Sequence, residues 1–277
     1  MISVVIPAHN EAAVLGRCLD ALREPPGPPL DITVVANGCI DSTADEARAR
    51  PGVRVIELPE ASKAAALNAG DDAATGFPRI YLDADIILTG GDVRRLAAAV
   101  ASGPALAAVP RRQLLLTGRP LPVRAYYAVH ARLPVFRHAL FGRGAVAVSA
   151  PGRRRFGRFP EVLGDDLFLD SSFRDHERCE VAEVVATVGT PRRTADLVRR
   201  LARVRAGNTA LRARMAGVRP AARTAWLRHV VLPRPWLAPA AATYVTLTLA
   251  AALRARLRPA EWGQDSSSRS PSGADDD

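Results

Sequence analysis

The sequence is poor in lysine, cysteine and aromatic residues. Lys63 is the single lysine among 277 residues, beside 37 arginines. The three cysteines, Cys18, Cys39 and Cys179, are odd in number and widely spaced, which argues against a disulfide framework or a cysteine metal site and favours reduced thiols. Aromatic residues make up 5% of the chain and do not alternate with the arginines, so we expect no nucleic-acid partner.

A basic segment is also lacking at the N-terminus, where secretory signal peptides carry one. Residues 1–7 instead have the apolar character of a first β-strand, which we expect Pro7 to end. Together with the reduced thiols, this favours a cytoplasmic protein.

Basic residues are distributed unevenly along the chain. Residues 1–100 contain 9 basic and 14 acidic residues, whereas residues 101–277 contain 29 basic and 14 acidic ones, and the formal net charge is +10. Two explanations stay open. Either the basic half meets an anionic partner, such as phospholipid head groups or a phosphorylated substrate, or a GC-rich genome favours arginine.

Short apolar runs alternate with amphipathic segments over the first 90 residues. This pattern predicts an open, mostly parallel α/β sheet that is flanked by helices in the Rossmann-like manner. Such sheets bind ligands at the carboxyl ends of their strands. The loops at residues 7–11, 37–41 and 83–85 are therefore expected to share one crevice.

Two aspartates with one residue between them follow the apolar run 80–82. Because the chain turns at the end of a strand, Asp83 and Asp85 can converge on one hard cation. A divalent metal held there can bridge the phosphates of a nucleotide and neutralise a diphosphate leaving group. Two solvated turn aspartates are the alternative, because the pattern is short.

Four blocks occur in the order that is found in family 2 glycosyltransferases, which have the GT-A fold. They are VIPAHNE at 5–11, VVANGCIDST at 34–43, KAAALNAG at 63–70 and LDAD at 82–85. The chain therefore resembles this family. The resemblance implies a GT-A fold, a UDP- or GDP-sugar as the nucleotide-diphospho-sugar donor, an acceptor hydroxyl, Mg²⁺ or Mn²⁺ at the D-x-D pair, and inversion at the anomeric carbon.

The same resemblance assigns roles within the four blocks. The metal ligands would be Asp83 and Asp85. The residues around the nucleoside and the phosphates would be Pro7, Ala8, Asn10, Glu11, Asn37, Asp41, Lys63 and Asp83.

One position departs from the family pattern, because Ala36 stands where members usually have an aspartate that is associated with the nucleobase or ribose. Asn37 could supply part of that contact, and the departure leaves the base, uracil or guanine, open. A compact ammonium at Lys63 suits a nucleotide site. A solvated lysine in the first turn of a helix is the alternative.

A second acidic pair, Asp165 and Asp166, follows Gly164 at the predicted start of a helix. An inverting transfer needs a base that takes the proton of the acceptor hydroxyl. The pair resembles the acidic site of the family, in which the second residue is the base, so Asp166 is the expected base and Asp165 assists it or binds the acceptor. Aspartates that only stabilise the helix dipole are the alternative.

The C-terminal part predicts helices and a loose tail. Residues 236–253 are uncharged and flanked by arginines, which favours a helix on an anionic membrane surface over one that crosses the membrane, with a buried terminal helix pair as the alternative. The predicted division is a GT-A domain at 1–218, a basic and apolar helical segment at 219–260 and a disordered tail at 261–277.

These features predict a metal-dependent, inverting glycosyltransferase that moves a single sugar to an acceptor hydroxyl, in the cytoplasm at the inner face of the plasma membrane. Single transfer is expected because residues 203–208 lack the Q-x-x-R-W motif of processive polysaccharide synthases. Cell-envelope, polysaccharide, glycolipid or secondary-metabolite glycosylation is the expected context. The alternatives are a sugar-nucleotide nucleotidyltransferase and a non-catalytic basic protein that binds membranes or nucleic acid.

Overall fold

An open sheet of seven strands organises the chain in a computed structural model, which describes residues 1–137, 139–161, 164–220 and 224–257. The strands are β1 (Ile2–Ala8), β2 (Leu30–Asn37), β3 (Val53–Leu58), β4 (Arg79–Leu82), β5 (Ala107–Leu115), β6 (Ala145–Val148) and β7 (Arg178–Gly189). The helices are α1 (Ala12–Ala21), α2 (Thr43–Arg48), α3 (Lys63–Ala73), α4 (Gly90–Ala101), α5 (Leu121–His130), α6 (Ala150–Arg153), α7 (Asp165–Ser171), α8 (Thr194–Arg214) and α9 (Ala238–Leu257).

The strand order across the sheet is β3-β2-β1-β4-β6-β5-β7. β1 pairs in parallel with β2 and β4, and β2 pairs in parallel with β3. β6 runs antiparallel to β4 and to β5. The predicted open α/β sheet with flanking helices and a C-terminal helix is therefore confirmed, with four parallel strands followed by a mixed half.

Apolar side chains cover both faces of the central strand β1, as expected for a parallel sheet between two helical layers. Val5 and Ile6 are fully buried and point to opposite faces. Ile6 packs in one cluster with Leu15 of α1, and Val5 packs in another with Leu67 of α3. Gly70 lets α3 approach the sheet closely, because a Cβ atom at this position would lie 2.4 Å from Val5 Cγ1.

One local expectation about the first loop is wrong, because β1 continues through Pro7 to Ala8 and does not end at Pro7. The N-cap residue of α1 is Glu11, and Asn10 before it adopts a left-handed conformation with φ 52°. The loop between β1 and α1 is therefore shorter and more tightly turned than the sequence indicated.

The chain divides into two compact units. The first contains residues 1–113, 138–188 and 211–219, and the second contains residues 114–137, 189–210 and 220–277. The units follow spatial contacts and not sequence order, so the predicted division into 1–218, 219–260 and 261–277 stays a prediction. The tail at 261–277 lies outside the described residues.

Candidate active site

The loops that follow β1 and β2 are joined through the amide group of Asn37, which is 1% exposed. Its Nδ2 donates to Ala8 O at 2.8 Å and lies 3.3 Å from Val35 O. Its Oδ1 accepts a hydrogen bond from Ser62 N at 3.1 Å, just before α3. Asn37 therefore fixes three segments at the carboxyl edge of the sheet.

The first two sequence blocks also contact each other through Asn10, Glu11 and Asp41. Asn10 Oδ1 accepts from Ile40 N at 2.8 Å, and Glu11 N donates to Thr43 Oγ1 at 2.7 Å. Asp41 Oδ2 accepts from the backbone of α1 at 3.2 Å. These residues build the wall of the predicted nucleoside site through contacts with one another.

Lys63 bridges two acidic residues that are far apart in sequence. Its Nζ lies 2.9 Å from Asp83 Oδ1 and 2.9 Å from Asp165 Oδ2. Ser62 caps α3 by accepting from Ala65 N at 3.2 Å, which places Lys63 at the first position of the helix. Burial alone would lower the pKa of Lys63, but the carboxylates of Asp165 and Asp83 outweigh burial and raise it well above its usual range.

Asp166 lies beside this bridge in the same cleft. Its Oδ2 accepts from Gly142 N at 3.3 Å. Burial, and then the negative charge of Asp165, raises the pKa of Asp166 to about 7, although the ammonium of Lys63 works in the opposite direction. The carboxyl group can therefore bind and release a proton near neutral pH.

One cleft in the first unit holds these groups, with about 370 Å³ of empty volume when open solvent is included. Its polar lining consists of Lys63, Asp83, Asp165 and Asp166. The other residues that line it are Pro7, Leu67, Tyr81, Leu82, Gly144, Ala145, Val146, Phe159 and Leu169.

The structure thus brings Pro7, Lys63, Asp83, Asp165 and Asp166 together in one cleft. The remaining predicted residues of the sugar-donor site are Ala8, Asn10, Glu11, Asn37 and Asp41. They form the hydrogen-bonded loops at the ends of β1 and β2, and their contact with a sugar donor stays a prediction.

Asp85 is exposed and does not line the cleft. Among the described residues, no group of three or more His, Cys, Asp or Glu side chains is arranged to hold a metal ion. The assignment of Asp83 and Asp85 as metal ligands therefore stays a prediction.

Three residues of this site were missed in the sequence. Tyr81 and Phe159 form an edge-to-face pair with ring centroids 5.1 Å apart, and both line the cleft. Gly144 O accepts from Asp83 N at 2.8 Å. Gly144 has φ +71°, and a Cβ atom there would lie 2.2 Å from Ile86 Cγ1. A glycine just before β6 could therefore have indicated, from the sequence, that two chain segments approach closely at this position.

The first half of the chain matches the model of the family described as Glycosyl transferase family 2, over residues 3–141. The chain belongs to this family. No curated protein matches the sequence. Membership favours the glycosyltransferase among the three predicted functions over the nucleotidyltransferase and the non-catalytic binding protein.

Solved glycosyltransferase structures share the fold of this family 2 enzyme. The mannosyltransferase PcManGT from Pyrobaculum calidifontis, in complex with GDP-Man and Mn²⁺, has a TM-score of 0.60 and 24% identity, and the match covers 92% of this chain and 78% of that chain. Glucosyl-3-phosphoglycerate synthase from Mycobacterium tuberculosis, in complex with Mn²⁺, UDP and glucosyl-3-phosphoglycerate, has a TM-score of 0.56 and 22% identity, covering 80% and 81%. S. aureus TarS 1-349, in complex with UDP, has a TM-score of 0.52 and 12% identity, covering 96% and 94%.

Proposed function

We propose that this family 2 glycosyltransferase moves a single sugar from a nucleotide-diphospho-sugar to an acceptor hydroxyl with inversion at the anomeric carbon. The observation that carries the proposal is the cleft in which Lys63 joins Asp83 to Asp165 beside Asp166. In this cleft the proposed proton acceptor, Asp166, is separate from Asp83, the acidic residue that is predicted to face the diphosphate.

Asp166 is the base in this proposal. Its carboxylate takes the proton of the acceptor hydroxyl while that oxygen bonds to the anomeric carbon, and the bond between the anomeric carbon and the diphosphate oxygen breaks. The nucleoside diphosphate leaves, and the proton on Asp166 passes to solvent. A pKa of about 7 suits this role, because a large fraction of the group is ionised at neutral pH.

The acidic residues of this site are chemically suitable ligands for a divalent cation. Carboxylate oxygens are hard ligands, and the carboxylates of Asp83, Asp165 and Asp166 outnumber the single ammonium of Lys63 in the cleft. Asp83 and Asp85 would hold Mg²⁺ or Mn²⁺, and the substrate phosphates would complete its coordination. When bound, the cation would neutralise charge on the diphosphate leaving group.

The remaining parts of the site bind the sugar donor and position its phosphates. Lys63 supplies a positive charge near Asp83 for the diphosphate. Pro7 with Asn10 and Asp41 surrounds the nucleoside, and the buried amide of Asn37 positions these loops. A UDP- or GDP-sugar is the proposed sugar donor, and the cytoplasm at the inner face of the plasma membrane is the proposed location. A peripheral contact with anionic lipid belongs to this proposal.

The proposal is tested first by thermal shift with UDP-, GDP- and TDP-sugars, each with and without Mn²⁺. We expect a rise in the melting temperature with one nucleotide class that Mn²⁺ increases, since a ligand that binds only the folded state stabilises it. Release of the free nucleoside diphosphate from that sugar donor is then measured. Production of pyrophosphate instead, or stabilisation by none of the nucleotide-sugars, would refute the proposed reaction.

A further inference from the structure

The net positive charge of the chain lies in the second unit, residues 114–137, 189–210 and 220–277, which contains 17 arginines and 6 acidic residues. Up to residue 257 it contains 15 arginines and a single acidic residue, Asp196. The first unit contains 21 basic and 22 acidic residues and is nearly neutral. A genome-wide preference for arginine over lysine does not explain the scarcity of acidic residues in one unit alone.

One face of α9 is buried inside the second unit. Ala241, Leu247 and Ala251 are buried on this face. Tyr244 stacks on Tyr126 of α5 with ring centroids 5.1 Å apart. This side of the helix is therefore fully used by internal packing.

The opposite face of α9 is apolar and exposed. Leu249, Leu253 and Leu257 are 64%, 59% and 72% exposed, and they recur at the spacing of one helix face. Trp236 and Leu232, just before the helix, are 72% and 67% exposed. Residues 236–253 contain no charged side chain, so this face has the character of a surface that is covered by apolar material.

By length and composition alone, the helical stretch Pro235–Leu257 could cross a membrane, with a mean hydropathy of 1.5. The packing of α9 argues against a crossing orientation. Leu247, near the middle of the helix, clusters with Leu197 and Leu201 of α8. The arginines at 199, 200 and 203 belong to the same part of α8, and a crossing helix would carry them towards the hydrocarbon core.

We propose that the outer face of α9, together with Leu232 and Trp236, docks the second unit onto the surface of an anionic lipid bilayer, with the helix lying in the plane of the interface. The leucines and Trp236 enter the boundary of the acyl chains, and arginines such as Arg228 and Arg256, both exposed, meet the lipid phosphates. A second copy is a poorer partner for this face, because two units that each carry 17 arginines against 6 acidic residues repel one another. The docking gives a defined surface to the peripheral lipid contact of the proposed function and rests on that part of it. It does not depend on the proposed reaction, and its test is separate from sugar transfer.

The full-length protein is tested by flotation with vesicles of phosphatidylcholine alone and with vesicles that contain 30% phosphatidylglycerol. We expect binding to the anionic vesicles that weakens with salt and is about tenfold or more weaker for the double variant L249E/L253E. The matched control is Val204→Glu, which alters an apolar residue of α8 that is 50% exposed, and it should bind as the wild type does. Unchanged melting temperatures show that the variants are folded.

A second measurement reports the depth of the helix. In the variant W226F/W262F, Trp236 is the remaining tryptophan, and its emission should shift to the blue on anionic vesicles. Brominated lipids should quench it most when the bromine is near the head groups. Quenching of a probe at the exposed position Leu249 from the bilayer centre, together with resistance to alkaline extraction, would show a crossing helix and overturn the proposal.

Three further results would also overturn it. They are absence of vesicle binding, equal binding to neutral vesicles, and retention on RNA without vesicle binding. A dimer in solution that L249E/L253E dissociates would show that a second copy covers the face. We expect light scattering to find a monomer for both proteins in the absence of vesicles.

Discussion

The ammonium of Lys63 lies 2.9 Å from the carboxylate of Asp83, although α3 carries the one and the end of β4 the other. The same ammonium reaches Asp165, which follows in sequence by about a hundred residues and starts α7. A single positive charge thus holds the acidic end of β4 and the acidic start of α7 together. Its removal would leave several carboxylates in one cleft without compensation.

We predict that Lys63→Met lowers sugar transfer by about 100-fold or more, because Asp83 and Asp165 then repel each other and the diphosphate loses a positive contact. Lys63→Arg keeps the charge on a larger planar group, so its transfer rate should lie between that of the wild type and that of the methionine variant. Initial rates at saturating sugar donor and Mn²⁺ measure the effect. Wild-type rates for the methionine variant would show that the bridge has no role in the reaction.

Asp166→Asn should reduce transfer by about 10²- to 10⁴-fold, the usual contribution of a general base. The sugar donor should still bind, since the base acts on the acceptor. Isothermal titration with the nucleotide-sugar and an assay of nucleoside diphosphate release check the two parts. A variant that retains normal turnover would remove Asp166 from the role of base.

The raised pKa of Asp166 also predicts a pH dependence of stability. Between the ordinary value of 3.8 and about 7, the folded protein keeps a proton that the unfolded chain has lost, so the contribution of this group to stability falls as the pH rises through this window. Asp166→Asn removes the loss of stability that the ionised carboxylate causes at higher pH. In the presence of a chelator, its melting temperature should exceed that of the wild type at pH 8 and approach it near pH 4.

Asp85→Ala should abolish the additional stabilisation by Mn²⁺ in the presence of the sugar donor and leave the fold intact, because the side chain is exposed. Asp45→Asn, which alters another exposed aspartate of the first unit, is the matched control and should respond to Mn²⁺ as the wild type does. Thermal shift and initial rates measure both effects. If the alanine variant responds normally to Mn²⁺, the metal assignment is wrong.

Asn37→Ala should lower the free energy of unfolding by about 1–3 kcal/mol, because it leaves Ala8 O and Ser62 N without their buried partner. Ile40→Ala, in the loop that follows Asn37 and 94% exposed, should have little effect. Denaturant midpoints compare the two variants. Equal midpoints would mean that water replaces the amide at no cost.

The sequence predicted the sheet well because its signal is local. Each strand up to β4 is a short apolar run between loops, and the four sequence blocks give the order of the loops that meet at the carboxyl edge. The approach of Asp166 to Asp83 was expected from the family resemblance, and it could not come from spacing alone. Such a contact depends on how α7 packs on the sheet.

The features that the sequence did not indicate depend on long-range contacts. Asn37 was assigned to the sugar donor by its block, yet its buried amide joins β1 to the start of α3. Prolines interrupt residues 110–142 and obscure a helical pattern there, yet α5 forms with Tyr126 and Tyr127 packed in the second unit. Neither arrangement follows from the residues next to it in the chain.

The presence of one lysine in the whole chain has a practical chemical consequence. Apart from the α-amino group, an amine-selective reagent has one side chain to modify, and that side chain lies in the cleft beside Asp83 and Asp165. Their carboxylates raise the pKa of Lys63, so the reaction is slower than at a free lysine. Peptide mass mapping of the unmodified fraction of Lys63 would measure how many protein molecules hold a ligand in this cleft, with no labelled sugar and no knowledge of the acceptor.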